Sequence, residues 1–235
     1  MVFFQADCMP RQRASDEVQP RLVNTPSHSP VLRLQDIVFA YPDQPAIAAG
    51  WSASIAPGVT LLYGDTGAGK SALLQVIAGV LPAAKGRLTV AGTSLDAAPE
   101  AYRRSVFFVD PSTDRFDQVT ARACTATLRE GDAHFDEDLW QALVEGFSLP
   151  PHIDKPMYML STGSKRKVWL AAALASGRPL VLLDEPTAAL DAGSVRRLWG
   201  ALTDLATQPG RAFIVASAAR IDEAPLAATI ELPLH

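Results

Sequence analysis

From Val31 onward the chain runs as short apolar or β-branched stretches separated by turn residues. VLRLQDIVF, AIAAGWSASI and VTLLY are bounded by Pro and Gly and predict three strands, hence a strand-rich opening lobe. KSALLQVIAGV predicts a helix ended by Gly79 and Pro82, and RLTVAG and SVFFVD supply further strands. Between about 117 and 170 the character changes. There DEDLWQALVEGF sets Leu139, Leu143 and Phe147 at helical spacing behind an acidic first turn, which predicts a small helical insert. KRKVWLAAALA predicts a second strong helix, PLVLLDEP a buried strand, and SVRRLWGALTDLA an amphipathic helix with Val195, Leu198, Leu202 and Leu205 on one face. AFIVAS is expected to close the chain as another buried strand. Helices alternating with fully apolar strands imply a mainly parallel sheet covered on both faces, the architecture in which ligands sit at the carboxyl ends of strands.

Composition narrows the class. With 235 residues, 48% of them hydrophobic, the chain can bury a sizeable core as one domain or two closely joined lobes. Residues 1–30 carry Pro10, Pro20, Pro26 and Pro30 among mixed charges with no apolar period, so a disordered extension is expected there and a folded domain over 31–235. The formal charge is 21 − 25 = −4, which leaves no global basic field to hold a nucleic acid. Cys8 and Cys124 lie far apart in unlike contexts, which suits free thiols in a reducing, cytosolic compartment. No apolar run approaches the roughly 18 to 20 residues needed to cross a bilayer; LAAALASGRPLVLLDEP is broken by Gly177, Arg178 and Pro179. MVFFQADC has no basic region before its short apolar run and does not read as a secretory signal, so any membrane role is expected to come from a partner.

The sharpest chemical signal is GDTGAGKS, formed by Gly64, Asp65, Thr66, Gly67, Ala68, Gly69, Lys70 and Ser71. It fits G-x-x-x-x-G-K-[ST] directly after an apolar strand and directly before a helix. Its glycines let the backbone turn with N–H groups inward around phosphates, and the following helix offers its positive N-terminus. Lys70 is expected to reach the β and γ phosphates, and Ser71 to place its hydroxyl on Mg²⁺. A second signal is PLVLLDEP, four apolar residues running into two carboxylates. A buried parallel strand there delivers Asp184 to the Mg²⁺ shell and Glu185 to the water that attacks the γ phosphate, the general-base part in phosphoryl transfer. A strand ending in solvated acids is the plainer alternative, and it weakens beside a phosphate loop.

With LSTGS at Leu160–Ser164 ahead of a helix, and AALD at Ala188–Asp191 just past LLDEP, the chain resembles the nucleotide-binding subunits of ABC transporters over nearly everything from Val31 onward. The resemblance implies an α/β P-loop NTPase fold with a mainly parallel core sheet, an antiparallel β lobe and a small helical subdomain. It implies ATP and Mg²⁺ as ligands, a separate membrane-spanning permease subunit, and a peripheral position on the cytoplasmic face of the membrane. In that family the signature closes on the γ phosphate of the opposite subunit, so Ser161 and Gly163 become donors in trans and a homodimer or heterodimer is implied. LSTGS as a plain helix cap is the structural alternative. Tyr41, in VFAYPDQP, stands where the family keeps an aromatic that stacks on adenine.

Two departures bear on mechanism. Where the family carries a Gln that touches Mg²⁺, Asp110, the last residue of SVFFVD, occupies the matching place and is the remaining candidate metal ligand. Where the family carries a His on the γ phosphate, this chain reads IVASAA, which aligns Ala218, or Ser217 one residue earlier, with the missing switch. The four histidines are His28, His134, His152 and His235, and none falls there, so slow hydrolysis is expected. Three readings compete: a transporter ATPase subunit, a mainly binding or regulatory cassette, and a soluble cassette of translation or DNA repair. The last normally needs a second cassette or a long coiled-coil insertion, which 235 residues do not hold.

Overall fold

The computed structural model describes residues 29–42 and 44–234. All but the last two residues of the expected N-terminal extension lie outside that range. The elements follow in chain order as β1 (Leu32–Phe39), β2 (Ala48–Ile55), β3 (Gly58–Tyr63), α1 (Lys70–Ile77), β4 (Lys85–Val90), β5 (Thr93–Ser94), α2 (Pro99–Arg104) and β6 (Val106–Phe108). Then come α3 (Ala121–Leu128), α4 (Glu137–Gly146), a 3-10 turn (Met157–Met159), α5 (Thr162–Ala175), β7 (Leu180–Asp184), α6 (Ala192–Leu205), β8 (Ala212–Ser217) and β9 (Leu226–Glu231).

The opening lobe is an antiparallel sheet in the order β2-β1-β4-β5. The second sheet runs β6-β7-β8-β3-β9 with every pair parallel. Its central strands read as continuous apolar runs because alternate side chains feed two different cores. Val59, Leu61, Val181, Leu183, Phe213 and Val215 face a core shared with α4, α5 and α6. Leu62, Leu180, Leu182, Ile214 and Ala216 face a core shared with α1 and the antiparallel lobe. On α6 Leu198, Leu202 and Leu205 are buried and Val195 packs against the same core, as the periodicity predicts.

One expectation is corrected. AFIVAS, now β8, is not the last strand, because β9 follows and adds in parallel beside β3. LAATIE is small-residue rich and only partly covered at the sheet edge, so it carries no apolar run to announce it.

The helical region is fastened to the parallel sheet by polar contacts as well. Arg178 donates from its guanidinium to the carbonyls of Val106 (3.2 Å), Leu128 (2.9 Å) and Glu130 (3.3 Å). Asp132, its ionic partner at 3.9 Å, accepts from Ser176 Oγ (2.7 Å) and Gly177 N (3.0 Å).

Candidate functional site

The three central strands β7, β8 and β3 end side by side, and their carboxyl ends deliver the candidate residues to one place. From β3 the loop Gly64–Ser71 turns into α1. Gly67 (φ 86°) and Gly69 (φ 94°) are left-handed, a conformation side chains resist, and a Cβ at Gly69 would come within 2.7 Å of Ile47. Lys70 is buried, and its Nζ donates to the carbonyls of Gly64 (2.7 Å) and Asp65 (3.0 Å). The same nitrogen lies 3.3 Å from Glu185 Oε1.

From β7 come Asp184 and Glu185. Glu185 is left-handed at φ 43°, and its N–H donates to the carbonyl of Ala216 on β8 at 2.9 Å. Asp184 Oδ1 is buried without a hydrogen-bond partner. Burial pushes the Asp184 carboxyl above its ordinary range, the Ser71 hydroxyl opposes this, and the Glu185 charge adds to it. An orphaned carboxylate oxygen beside a serine hydroxyl fits a hard divalent cation such as Mg²⁺, which takes oxygen ligands and retains water. Among the described residues no group of three or more His, Cys, Asp or Glu forms a fuller metal cage.

Lys70, Ser71 and Glu185 open onto a cleft of 490 Å³ lined also by Tyr41, Thr66, Gly67, Gly69, Ala72, Ala188 and Ala218. Tyr41 stands at its rim, 38% exposed, with its ring edge on Phe39 at 5.3 Å between centroids. Of the two residues aligned with the missing histidine, Ala218 faces the cleft, whereas Ser217 is buried and its Oγ accepts from Ala219 N at 3.0 Å. Gly64, Asp65 and Ala68 shape the loop from behind: a Cβ on Gly64 would meet Leu232 at 3.0 Å, and Ala68 N donates to Asp65 O at 3.1 Å. A larger cavity of 790 Å³ between α4 and α6 contains none of the phosphate-loop residues.

Besides Gly64, Asp65 and Ala68, the expected site residues that do not line that cleft are Asp184, Asp110, Ser161 and Gly163. Asp110 accepts from Gln75 Nε2 (3.0 Å) on one oxygen and from Ser112 N (2.9 Å) and Oγ (2.7 Å) on the other. Its charge still acts on Asp184. Ser161 caps α5, its Oγ accepting from Ser164 N at 3.1 Å. Gly163 packs against the Ala189 carbonyl so closely that a Cβ would collide with it.

Sequence reasoning missed Arg166. From α5 its Nη1 donates to the carbonyls of both Asp184 (2.9 Å) and Glu185 (2.6 Å). The basic run KRK contains it, but nothing in the local sequence distinguishes Arg166 from Lys165 and Lys167, which pair with Asp117 and Asp191.

A phosphate loop between a central parallel strand and a helix, facing a DE pair from a strand two places along, defines a P-loop nucleoside triphosphatase. More closely, the chain belongs to the ABC transporter family, whose model matches residues 50–188. ATP-binding members of that family are ATPases coupled to transport, and this chain is such an ATP-binding subunit. It is 42% identical to the cytochrome c biogenesis ATP-binding export protein CcmA of Rhodospirillum rubrum over 166 residues, 68% of this chain and 67% of that protein. It is 34% identical to the nickel import ATP-binding protein NikO of Rhodobacter capsulatus over 206 residues, 80% of each. Among solved structures, an ATP-binding subunit of an ABC transporter superposes with a TM-score of 0.68 at 21% identity, covering 79% of both chains, which supports the fold.

Proposed function

We propose that this subunit binds Mg-ATP in the cleft around Lys70, hydrolyses it slowly, and works as a dimer that drives a separate membrane permease from the cytoplasmic face. The observation that carries the reading is the meeting of Lys70 and Glu185 in a cleft that Ala218 also lines. Lys70 and the backbone N–H groups of Thr66 to Ser71 take the β and γ phosphates, and Tyr41 stacks on the adenine. Ser71 and Asp184 hold the cation, which when bound neutralises phosphate charge. Asp110, with its oxygens taken by Gln75 and Ser112, acts on that pair through its charge.

Glu185 accepts the proton of the attacking water as that water bonds to the γ phosphorus and the bond to the ADP oxygen breaks. Charge grows on the γ oxygens in the transition state, and Ala218 offers no donor to it. Ser161 and Gly163, which do not line the cleft of their own chain, serve the nucleotide of a second cassette. Among the described residues no helix is long and apolar enough to cross a membrane, in keeping with a separate permease. A second reading, a regulatory cassette paired with an active one, is favoured by Ala218 alone.

Light scattering on Glu185→Gln tests the dimer. Association on adding Mg-ATP is expected, and a monomer with and without nucleotide, alone or mixed with a second cassette, would count against it. In the same variant turnover is expected to vanish while Mg-ATP binding persists, because an amide cannot take the water's proton.

A further inference from the structure

We propose that Arg166 is a positioning residue for hydrolysis: it holds Glu185 in its left-handed backbone conformation and so aims the carboxylate at the cleft. This rests on the reading of Glu185 as the general base.

A left-handed conformation at a non-glycine residue is strained, so it persists only where surrounding contacts impose it. At Glu185 those contacts come from both sides. Its N–H is held by the Ala216 carbonyl of β8, and its own carbonyl by Arg166 Nη1 at 2.6 Å. The same nitrogen also takes the Asp184 carbonyl at 2.9 Å, so one donor spans the peptide that joins the two carboxylate residues. Asp184 and Glu185 are thereby fixed relative to each other, with Glu185 Oε1 3.3 Å from Lys70 Nζ.

The guanidinium is half-buried and makes these bonds from α5, the helix whose first turn carries Ser161 and Gly163. The same helix meets the segment after β7 at two further points: Gly163 abuts the Ala189 carbonyl, and Lys167 Nζ donates to Asp191 Oδ2 at 2.6 Å. Arg166 is the member of this set that reaches the backbone of Asp184 and Glu185. Both bonds come from one nitrogen, so a lysine ammonium keeps the charge but carries it on a flexible stem in place of the fixed geometry of the planar guanidinium.

Three variants and one chemical rescue test the assignment, read by single-turnover hydrolysis at saturating Mg-ATP, Mg-ATP affinity and thermal unfolding. Arg166→Ala is expected to slow hydrolysis by about 10- to 100-fold, the loss that follows small misplacement of a reacting group, while Mg-ATP affinity stays unchanged. Arg166→Lys should fall between the two, and added guanidinium ion should restore part of the Arg166→Ala rate. Wild-type turnover in Arg166→Ala, or a loss that appears in Mg-ATP affinity and not in the single-turnover rate, would overturn the positioning role. A loss in Arg166→Ala that tracks a lowered melting temperature, with full activity in Arg166→Lys, would reduce Arg166 to a structural contact. Wild-type turnover in Glu185→Gln alone would instead remove the base assignment, so the two failures are separately visible.

Discussion

Lys70 Nζ lies 3.3 Å from Glu185 Oε1, so the cation of the phosphate loop and the carboxylate after β7 converge on one point of the cleft. Lys70 is 6% exposed and Glu185 38% exposed, so the pair is wetted mainly from the glutamate side. An incoming phosphate competes with that carboxylate for the ammonium.

Removing the ammonium removes the one buried cation among the cleft-lining residues. Lys70→Ala is expected to abolish tight Mg-ATP binding, and a titration showing unchanged affinity would sink the assignment of the loop.

Restoring a donor at the end of β8 should accelerate the reaction. A positioned donor on developing transition-state charge is typically worth about 10²- to 10³-fold, or roughly 3–4 kcal/mol. Ala218→His is accordingly expected to raise steady-state phosphate release toward that range. Brisk hydrolysis by the unmodified chain, indifferent to this substitution, would mean that another residue fills the role.

The Asp132 contacts give a stability prediction. Asp132 is 3% exposed and holds Ser176 Oγ, Gly177 N and the Arg178 guanidinium together. Breaking a buried pair by removing one partner leaves the other charge uncompensated, so Asp132→Ala should lower unfolding free energy in urea by about 3–5 kcal/mol. Glu100→Ala, which removes the exposed partner of Arg104, should cost under about 1 kcal/mol. Equal midpoints for the two variants would contradict this.

Cys124 is fully buried, and burial pushes its thiol up to about 12. The thiolate is the reactive form, so a thiol reagent at pH 8 should leave Cys124 unlabelled until the chain unfolds, as peptide mapping in a Cys8→Ser background would show. Because the folded value is raised, this group's contribution to stability is complete below the unfolded thiol's ordinary range, about 8.5. It is lost as pH rises from there toward the folded value. Rapid labelling under native conditions would contradict the burial.

The buried strands and α1, α4, α5 and α6 were legible in the sequence because each declares itself by a local period or an unbroken apolar run. Elements with little to bury were not: β9 is partly exposed and alanine-rich, and α2 is only six residues long. At the site, the phosphate loop and Asp184–Glu185 were readable as contiguous strings. Arg166 was not, because its partners are main-chain carbonyls, which every residue possesses. The engagement of Asp110 by Gln75 joins residues from α1 and from the loop after β6, a pairing only the tertiary fold creates.

The strand order also sets a timetable for synthesis. β3 carries the phosphate loop at its end, yet both of its neighbours, β8 and β9, lie at residues 212–231, while β3 itself spans 58–63. A nascent chain therefore exposes the loop long before its flanking strands leave the ribosome, and pairings so distant in sequence close slowly. Nucleotide, which stabilises only what it binds, can rescue the finished domain but not the growing one.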